Sequence, residues 1–402
     1  VYEELDLSQI ARLRTEGLSE SPELANFRRY TVSRLTLTNF RCYENLRLDL
    51  GPEPVVLTGP NGAGKTNILE ALSLLIPGRG LRRPKLSEIS KTGGDGSWAA
   101  AVEVNAPDGP VRLGTGFTPN DRAAREKRIV RIDGESASNQ NVLSEFMSLY
   151  WITPQMDGLF IDGPSARRQF FDRLIYAWDP AHAGRISAYE TAMRERSRLL
   201  RDDPRPDPAW LTALESTMAE RGIAVAAARL ELLHRLGPAS SRGLAPFPGA
   251  DLALSGDLEN WLSTSPALEA EDRFRSILAD GRRRDGETGR TGCGPHRSDL
   301  IVHHAGTGQA ADLCSTGEQK ALLIAIVLAN AKLRSAEKGA VPLLLLDEVA
   351  AHLDGQRREA LFDHLITLGA QTWFTGTDET LYQPLGNAAQ MFRVEDGHIS
   401  GM

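Results

Sequence analysis

Residues 55–67 narrow the choice of folds more than any other part of this chain. Val55-Val56-Leu57 is short and apolar at every position, as a fully buried strand should be, and it runs straight into Gly59-Pro60-Asn61-Gly62-Ala63-Gly64-Lys65-Thr66-Asn67. That run fits G-x-x-x-x-G-K-[ST], and residues 67–75 then read as a helix. A buried strand, a glycine loop and a helix in direct succession specify an α/β fold. The glycines let backbone N–H groups curl around phosphate oxygens, and the helix N-terminus adds partial positive charge. Residues 59–67 are thus the expected nucleotide contacts, with Lys65 reaching the terminal phosphates and Thr66 offering its hydroxyl to Mg2+.

A second chemical group lies far along the chain. Val341-Pro-Leu-Leu-Leu-Leu346 reads as a buried strand ending in Asp347-Glu348, which places two carboxylates at the C-terminal edge of a sheet. Asp347 is expected to orient Mg2+, and Glu348 to polarise an attacking water as a general base. Together with the phosphate loop, the pair indicates ATP hydrolysis.

The rest of the chain bounds this reading. With 402 residues, 41% of them apolar, it can hold two or three domains. No apolar run of membrane-spanning length occurs, the longest being residues 321–331. The first residues lack a charged stretch followed by an apolar one, so no secretory signal is read and a cytoplasmic location is expected. Cys42, Cys293 and Cys314 are too scattered for a disulfide framework or a zinc site. The net charge of −7 argues against a globally basic nucleic-acid binder, so local clusters matter. Arg79, Arg82, Arg83, Lys85 and Lys91 form one, residues 122–131 a second and Arg282, Arg283 and Arg284 a third.

Four segments are expected. Residues 1–32 read as a polar, partly helical extension dispensable for the chemistry. Residues 33–174 carry the phosphate loop, a strand at 34–43 and an antiparallel meander at 99–104 and 111–116. Residues 175–285 follow a helical period, and the proline-rich break at 201–208 predicts an antiparallel helix pair. Residues 286–402 carry the carboxylates.

The segment Cys314-Ser315-Thr316-Gly317-Glu318-Gln319-Lys320, ahead of an apolar helix and shortly before Asp347, resembles the ABC-ATPase signature. Asp354 in Ala351-His-Leu-Asp354 is similar to the D-loop aspartate. The fold implied is an ABC-type ATPase head built from N- and C-terminal segments around an inserted helical lobe. In that group the serine and glycine, here Ser315 and Gly317, contact the γ-phosphate held by the other subunit, which implies an ATP-dependent homodimer. Ser315 as a simple helix cap is the alternative.

Three further runs resemble the RecF family: residues 33–43 with Asn39-Phe40-Arg41, residues 153–172 with Thr153-Pro154-Gln155 and Arg167-Arg168, and Gly294-Pro295-His296-Arg297-Ser-Asp299-Leu300. The resemblance covers about residues 33–402. It implies ATP-dependent binding to single-stranded and duplex DNA, particularly at gap junctions, and help in loading RecA together with RecO and RecR. Arg79, Arg82, Arg83 and Lys85 are the first candidates for phosphate contacts. Gln155 is open to being the Q-loop glutamine that senses Mg2+ and water, although many RecF sequences have an acidic residue there. His296 and Arg297 are either a switch or a buried hydrogen-bonded pair. The histidine that many transport ATPases carry after the strand 371–375 is absent, since Gly376-Thr377-Asp378 follows. That argues against a transporter, and a helical insertion of this length argues against a long SMC-type tether.

Overall fold

The computed structural model describes residues 28–119, 126–202 and 206–402. Its centre is a six-stranded sheet in the spatial order His398–Gly401, Gln390–Glu395, Val55–Thr58, Thr372–Gly376, Leu343–Asp347, Leu149–Ile152. All neighbours are parallel except the terminal hairpin formed by the first two. Successive side chains on a strand face opposite ways, and here both faces are covered. Val55, Leu57, Leu343, Leu345 and Trp373 pack against helix Lys65–Ser73 and an antiparallel sheet. Val56, Leu344, Leu346 and Phe374 pack against helices Pro164–Tyr176, Thr316–Lys338 and Gly355–Leu368. The strands that carry the glycine loop and the carboxylates are not neighbours, because Thr372–Gly376 runs between them.

The second sheet is antiparallel, ordered Tyr43–Asp49, Thr31–Phe40, Trp98–Ala106, Gly109–Phe117, Ile129–Ile132, Glu135–Ser136. It contains the expected meander. The head begins earlier than residue 33. Arg28–Arg29 pairs with Ala340–Val341, Tyr30 is buried, and the Gln371 side chain bonds the backbone N–H and carbonyl of Val32 at 2.8 and 3.1 Å. Each bond bridges more than three hundred residues of chain, so no local pattern announces it. The remainder of the expected extension, residues 1–27, lies outside the described residues, as do Arg122 and Arg125 of the second basic cluster.

Helices His182–Asp202 and Pro208–Arg242 run antiparallel, with Arg196 opposite Glu215, Tyr189 against Gly222 and His182 near Arg229. The lobe has a core of its own, from Tyr189, Met218, Ile223, Phe274 and Leu278. Yet the 35-residue second helix continues into the head, where Leu232 and Leu236 join the main core. At 1.5 Å per residue it is about 50 Å long. The helical segment is also interrupted by strand Ala250–Ser255, which pairs antiparallel with Asp299–His304. Expectation missed this strand because it is short and sits inside a stretch of helical period.

Buried ion pairs lock lobe to head. Asp172 accepts two 2.8 Å bonds from Arg229 and contacts His182 Nε2 at 3.0 Å, while Arg229 also donates to the Pro295 carbonyl. Burial opposes the charge on Asp172, but the Arg229 guanidinium holds its carboxyl well below the usual range. Arg229→Met strands that carboxylate in the interior. Its expected cost is about 3–5 kcal/mol of stability, read as a lower melting temperature of the full chain. An unchanged melting curve would show that the pair does not hold the junction.

Candidate nucleotide-binding site

Glycine is required in the loop for two different reasons. Gly59, Gly62 and Gly64 all have positive φ, at 144°, 82° and 113°. At Gly62 the space beside the backbone is open, so conformation alone demands glycine. At Gly59 a Cβ would stand 2.1 Å from the Val394 carbonyl oxygen, and at Gly64 it would stand 2.6 Å from Cys42 Sγ. Tyr43 donates its hydroxyl to the Gly64 carbonyl at 3.1 Å and so fixes the loop from the antiparallel sheet.

Lys65 is 4% exposed, and its Nζ donates to the carbonyls of Gly59 and Pro60 at 2.8 Å each. Burial lowers its pKa, against the pull of Glu348 and Asp347. The ammonium is thus buried in a loop of acceptors with carboxylates nearby, where phosphate oxygens can replace the carbonyls as partners.

Thr66 Oγ1 donates to Asp347 Oδ1 at 2.9 Å, joining residues 281 positions apart. A hydroxyl with free lone pairs beside a nearly buried carboxylate suits a hard cation. Mg2+ binds through few protein oxygens and completes its shell with water and phosphate. Asp347 and Thr66 therefore fit Mg2+. Glu348 is half-buried, with φ 55°, a left-handed backbone that non-glycine residues rarely adopt. Its N–H is held by the Thr375 hydroxyl at 3.0 Å.

Gln155 sits in the turn Pro154–Met156, just past strand Leu149–Ile152, which is paired with the carboxylate strand. It is exposed, and no hydrogen bond joins it to Thr66 or Asp347 among the described residues. Two residues on, Asp157 accepts from Lys320 of the signature helix at 3.0 Å. Ser315 caps helix Thr316–Lys338 in a reciprocal box with Glu318, and Ser315 and Gly317 are exposed. Among the described residues, no hydrogen bond or ion pair links residues 315–318 to the loop 59–67. Asp354 caps helix Gly355–Leu368 through the Arg357 N–H at 2.8 Å and is likewise exposed.

The basic cluster divides. Arg82 donates to Asn67 Oδ1 at 2.8 Å and contacts Glu70 at 3.4 Å, so part of its charge is already matched inside the head. Arg83 bonds Gln169. Arg79 and Lys85 are exposed and line a groove with Glu126, Lys127 and Arg128. His296 is fixed: Nε2 contacts the Thr291 carbonyl at 3.1 Å and must donate, so Nδ1 accepts from the Tyr189 hydroxyl at 2.7 Å. Burial pushes its pKa down. Arg297 is exposed and does not join it.

Two elements of the site escaped the sequence. Arg41 grips the fully buried Glu70 of the loop helix through two bonds of 2.9 and 2.7 Å, and Thr375 touches both carboxylate residues. Arg41 stood in a recognisable motif, but nothing near Glu70 or Thr375 marks either one.

The model of the RecF/RecN/SMC N terminal domain family matches residues 31–400. The chain is 50% identical over 370 residues to the DNA replication and repair protein RecF of Mesorhizobium japonicum, covering 92% of this chain and 97% of that one. To the RecF of Brucella suis it is 47% identical over 377 residues, covering 93% and 97%. The chain belongs to the RecF family. RecF proteins are ABC-type ATPases of DNA replication and repair, and this chain has their head and inserted helical lobe. A solved structure of the recombination mediator protein RecF with ATP in the RecFOR pathway shares the fold, with a TM-score of 0.80 at 20% identity, covering 94% of this chain and 98% of that one. The Smc head domain from Pyrococcus furiosus follows at a TM-score of 0.52 and 14% identity, covering 93% and 96%.

Proposed function

We propose that this RecF-family ATPase uses ATP to join two copies of itself on DNA at junctions of duplex and single strand, where it acts with RecO and RecR to place RecA. One observation carries the dimer. The chain holds two half-sites: a phosphate loop closed onto Asp347, and a capped helix N-terminus bearing exposed Ser315 and Gly317 that makes no bond to its own loop. A helix N-terminus is an anion site seeking a ligand, and a second copy supplies one when its loop carries a γ-phosphate. Asp354, exposed six residues after Glu348, is assigned in this reading to the surface that meets the partner.

Within each half-site the roles divide by chemistry. Residues 59–67 wrap and orient the phosphates, Lys65 neutralises the terminal ones, and Thr66 and Asp347 hold Mg2+, with Gln155 closing on the site from its exposed turn. Mg2+ would supply charge neutralisation of the phosphates. Glu348 takes the proton of the attacking water. No helix among the described residues is long and apolar enough to cross a membrane, and a cytoplasmic place beside the chromosome fits a DNA partner.

The test is binding of the purified chain to gapped, duplex and single-stranded DNA, with and without ATP, over a range of salt. Tight binding should require ATP and weaken steeply with salt. In Arg79→Ala/Lys85→Ala the slope of log affinity against log salt should flatten by about one unit per residue removed. Binding indifferent to both ATP and salt would exclude this role.

A further inference from the structure

Strand Thr372–Gly376 lies between the loop strand and the carboxylate strand, and its register sets Thr375 directly beside Asp347. Thr375 is fully buried. Its hydroxyl donates to Asp347 Oδ1 at 2.6 Å and accepts the Glu348 N–H at 3.0 Å, so one side chain holds two successive residues of the site. The same Oδ1 receives the Thr66 hydroxyl at 2.9 Å, which leaves Oδ2 as the oxygen that neither threonine occupies. Behind Thr375, Tyr382 donates its hydroxyl to the Thr375 carbonyl at 2.7 Å and fixes the strand end.

We infer that Thr375 is a positioning residue for hydrolysis: its hydroxyl orients the Asp347 carboxylate toward Mg2+ and pins the peptide that keeps Glu348 in its left-handed conformation. The chemistry is asymmetric. A hydroxyl has one proton to give and lone pairs to accept with, so it can serve a carboxylate and an N–H together. Valine has nearly the same shape and can do neither. Without the hydroxyl, Asp347 loses the shorter of its two threonine bonds and is held at Oδ1 by Thr66 alone. The Glu348 N–H keeps only a longer contact to the Thr375 carbonyl at 3.2 Å, and a backbone at φ 55° needs such support to persist. Partners of this kind, which touch a metal ligand rather than the metal, typically change metal affinity or activity by about 10–100-fold when removed.

The inference rests on the ATPase reading above, so wild type is measured alongside Thr375→Val, Thr375→Ala and Thr375→Ser. Two readouts are needed: affinity for a fluorescent ATP analogue with Mg2+ and with EDTA, and steady-state hydrolysis. In EDTA all four proteins should bind the analogue alike, because the loop and Lys65 are intact. The gain in affinity on adding Mg2+ should fall about 10-fold in the valine and alanine variants, and kcat should fall about 10–100-fold with a smaller change in KM. Serine should restore both, since it keeps the hydroxyl and lacks only the methyl. A serine variant as impaired as valine would make the methyl's packing the cause and overturn the inference. So would valine and alanine variants with wild-type Mg2+ dependence and turnover. Should neither of those two fold, serine decides alone: retained Mg2+ dependence upholds the hydroxyl and its loss refutes it. A wild-type protein that binds no ATP would instead refute the ATPase reading.

Discussion

Glu348→Gln should bind ATP as tightly as wild type and hydrolyse it about 100- to 10,000-fold more slowly, the range that a positioned general base contributes. The substitution is isosteric, so the φ of 55° and the N–H contact to Thr375 survive, and the carboxylate of Asp347 stays in place beside Thr66. Only the capacity to accept the water's proton is lost. Since the γ-phosphate then persists, the proposed dimer should accumulate with ATP, visible by size-exclusion chromatography or sedimentation. Turnover close to wild type would mean that another group takes the proton. Slow turnover without an accumulated dimer would separate hydrolysis from association.

Ser315→Arg is expected to abolish ATP-driven dimerisation and nearly all hydrolysis while leaving the monomer folded. Two magnitudes support the second half. Losing an N-cap costs about 0.5–2 kcal/mol, whereas the capped helix runs for 23 residues and buries Ala321 through Ala331 in the main core. The arginine therefore weakens the first turn without unfolding the helix. Nor does it disturb Lys65 and Thr66, which make no bond to it, so much of the monomer's ATP binding should remain. What it removes is the exposed, partly positive helix end that a partner's γ-phosphate would reach, filling that place with a bulky side chain. Mixing Ser315→Arg with Lys65→Met makes the test sharper. Of the two sites in a mixed dimer, one combines both defects and the other has neither, so activity should partly return where each variant alone is inert. Normal ATP-dependent dimerisation in Ser315→Arg alone would leave Ser315 as a helix cap and end the shared-site mechanism.

The chemistry proposed for this protein rests on local runs of sequence. The glycine loop, Asp347-Glu348 and the Ser315 helix start each consist of residues adjacent in the chain, and their geometry follows from backbone conformation: positive φ at glycines, a strand ending in carboxylates, a serine capping a helix. Such features are legible because covalent neighbours create them. Burial on both faces of the central strands was legible too, from unbroken apolar runs. The antiparallel helix pair followed from its prolines.

Other parts depend on which strands become neighbours, and no local pattern carries that information. Only the sheet order brings Thr375 between loop and carboxylates, ties Gln371 to Val32, and sets strand Ala250–Ser255 against Asp299–His304. Only folding brings Arg82 to Asn67 and Glu70, turning a presumed phosphate contact into a half-satisfied internal one. A charge in the sequence states what a side chain can bind, but its free partners are those left over after packing has paired the rest. For this chain the residues proposed to react lie in short runs of sequence, while those placed to aim them are chosen by strand register across the chain, where a one-residue shift would turn Thr375 to the opposite face.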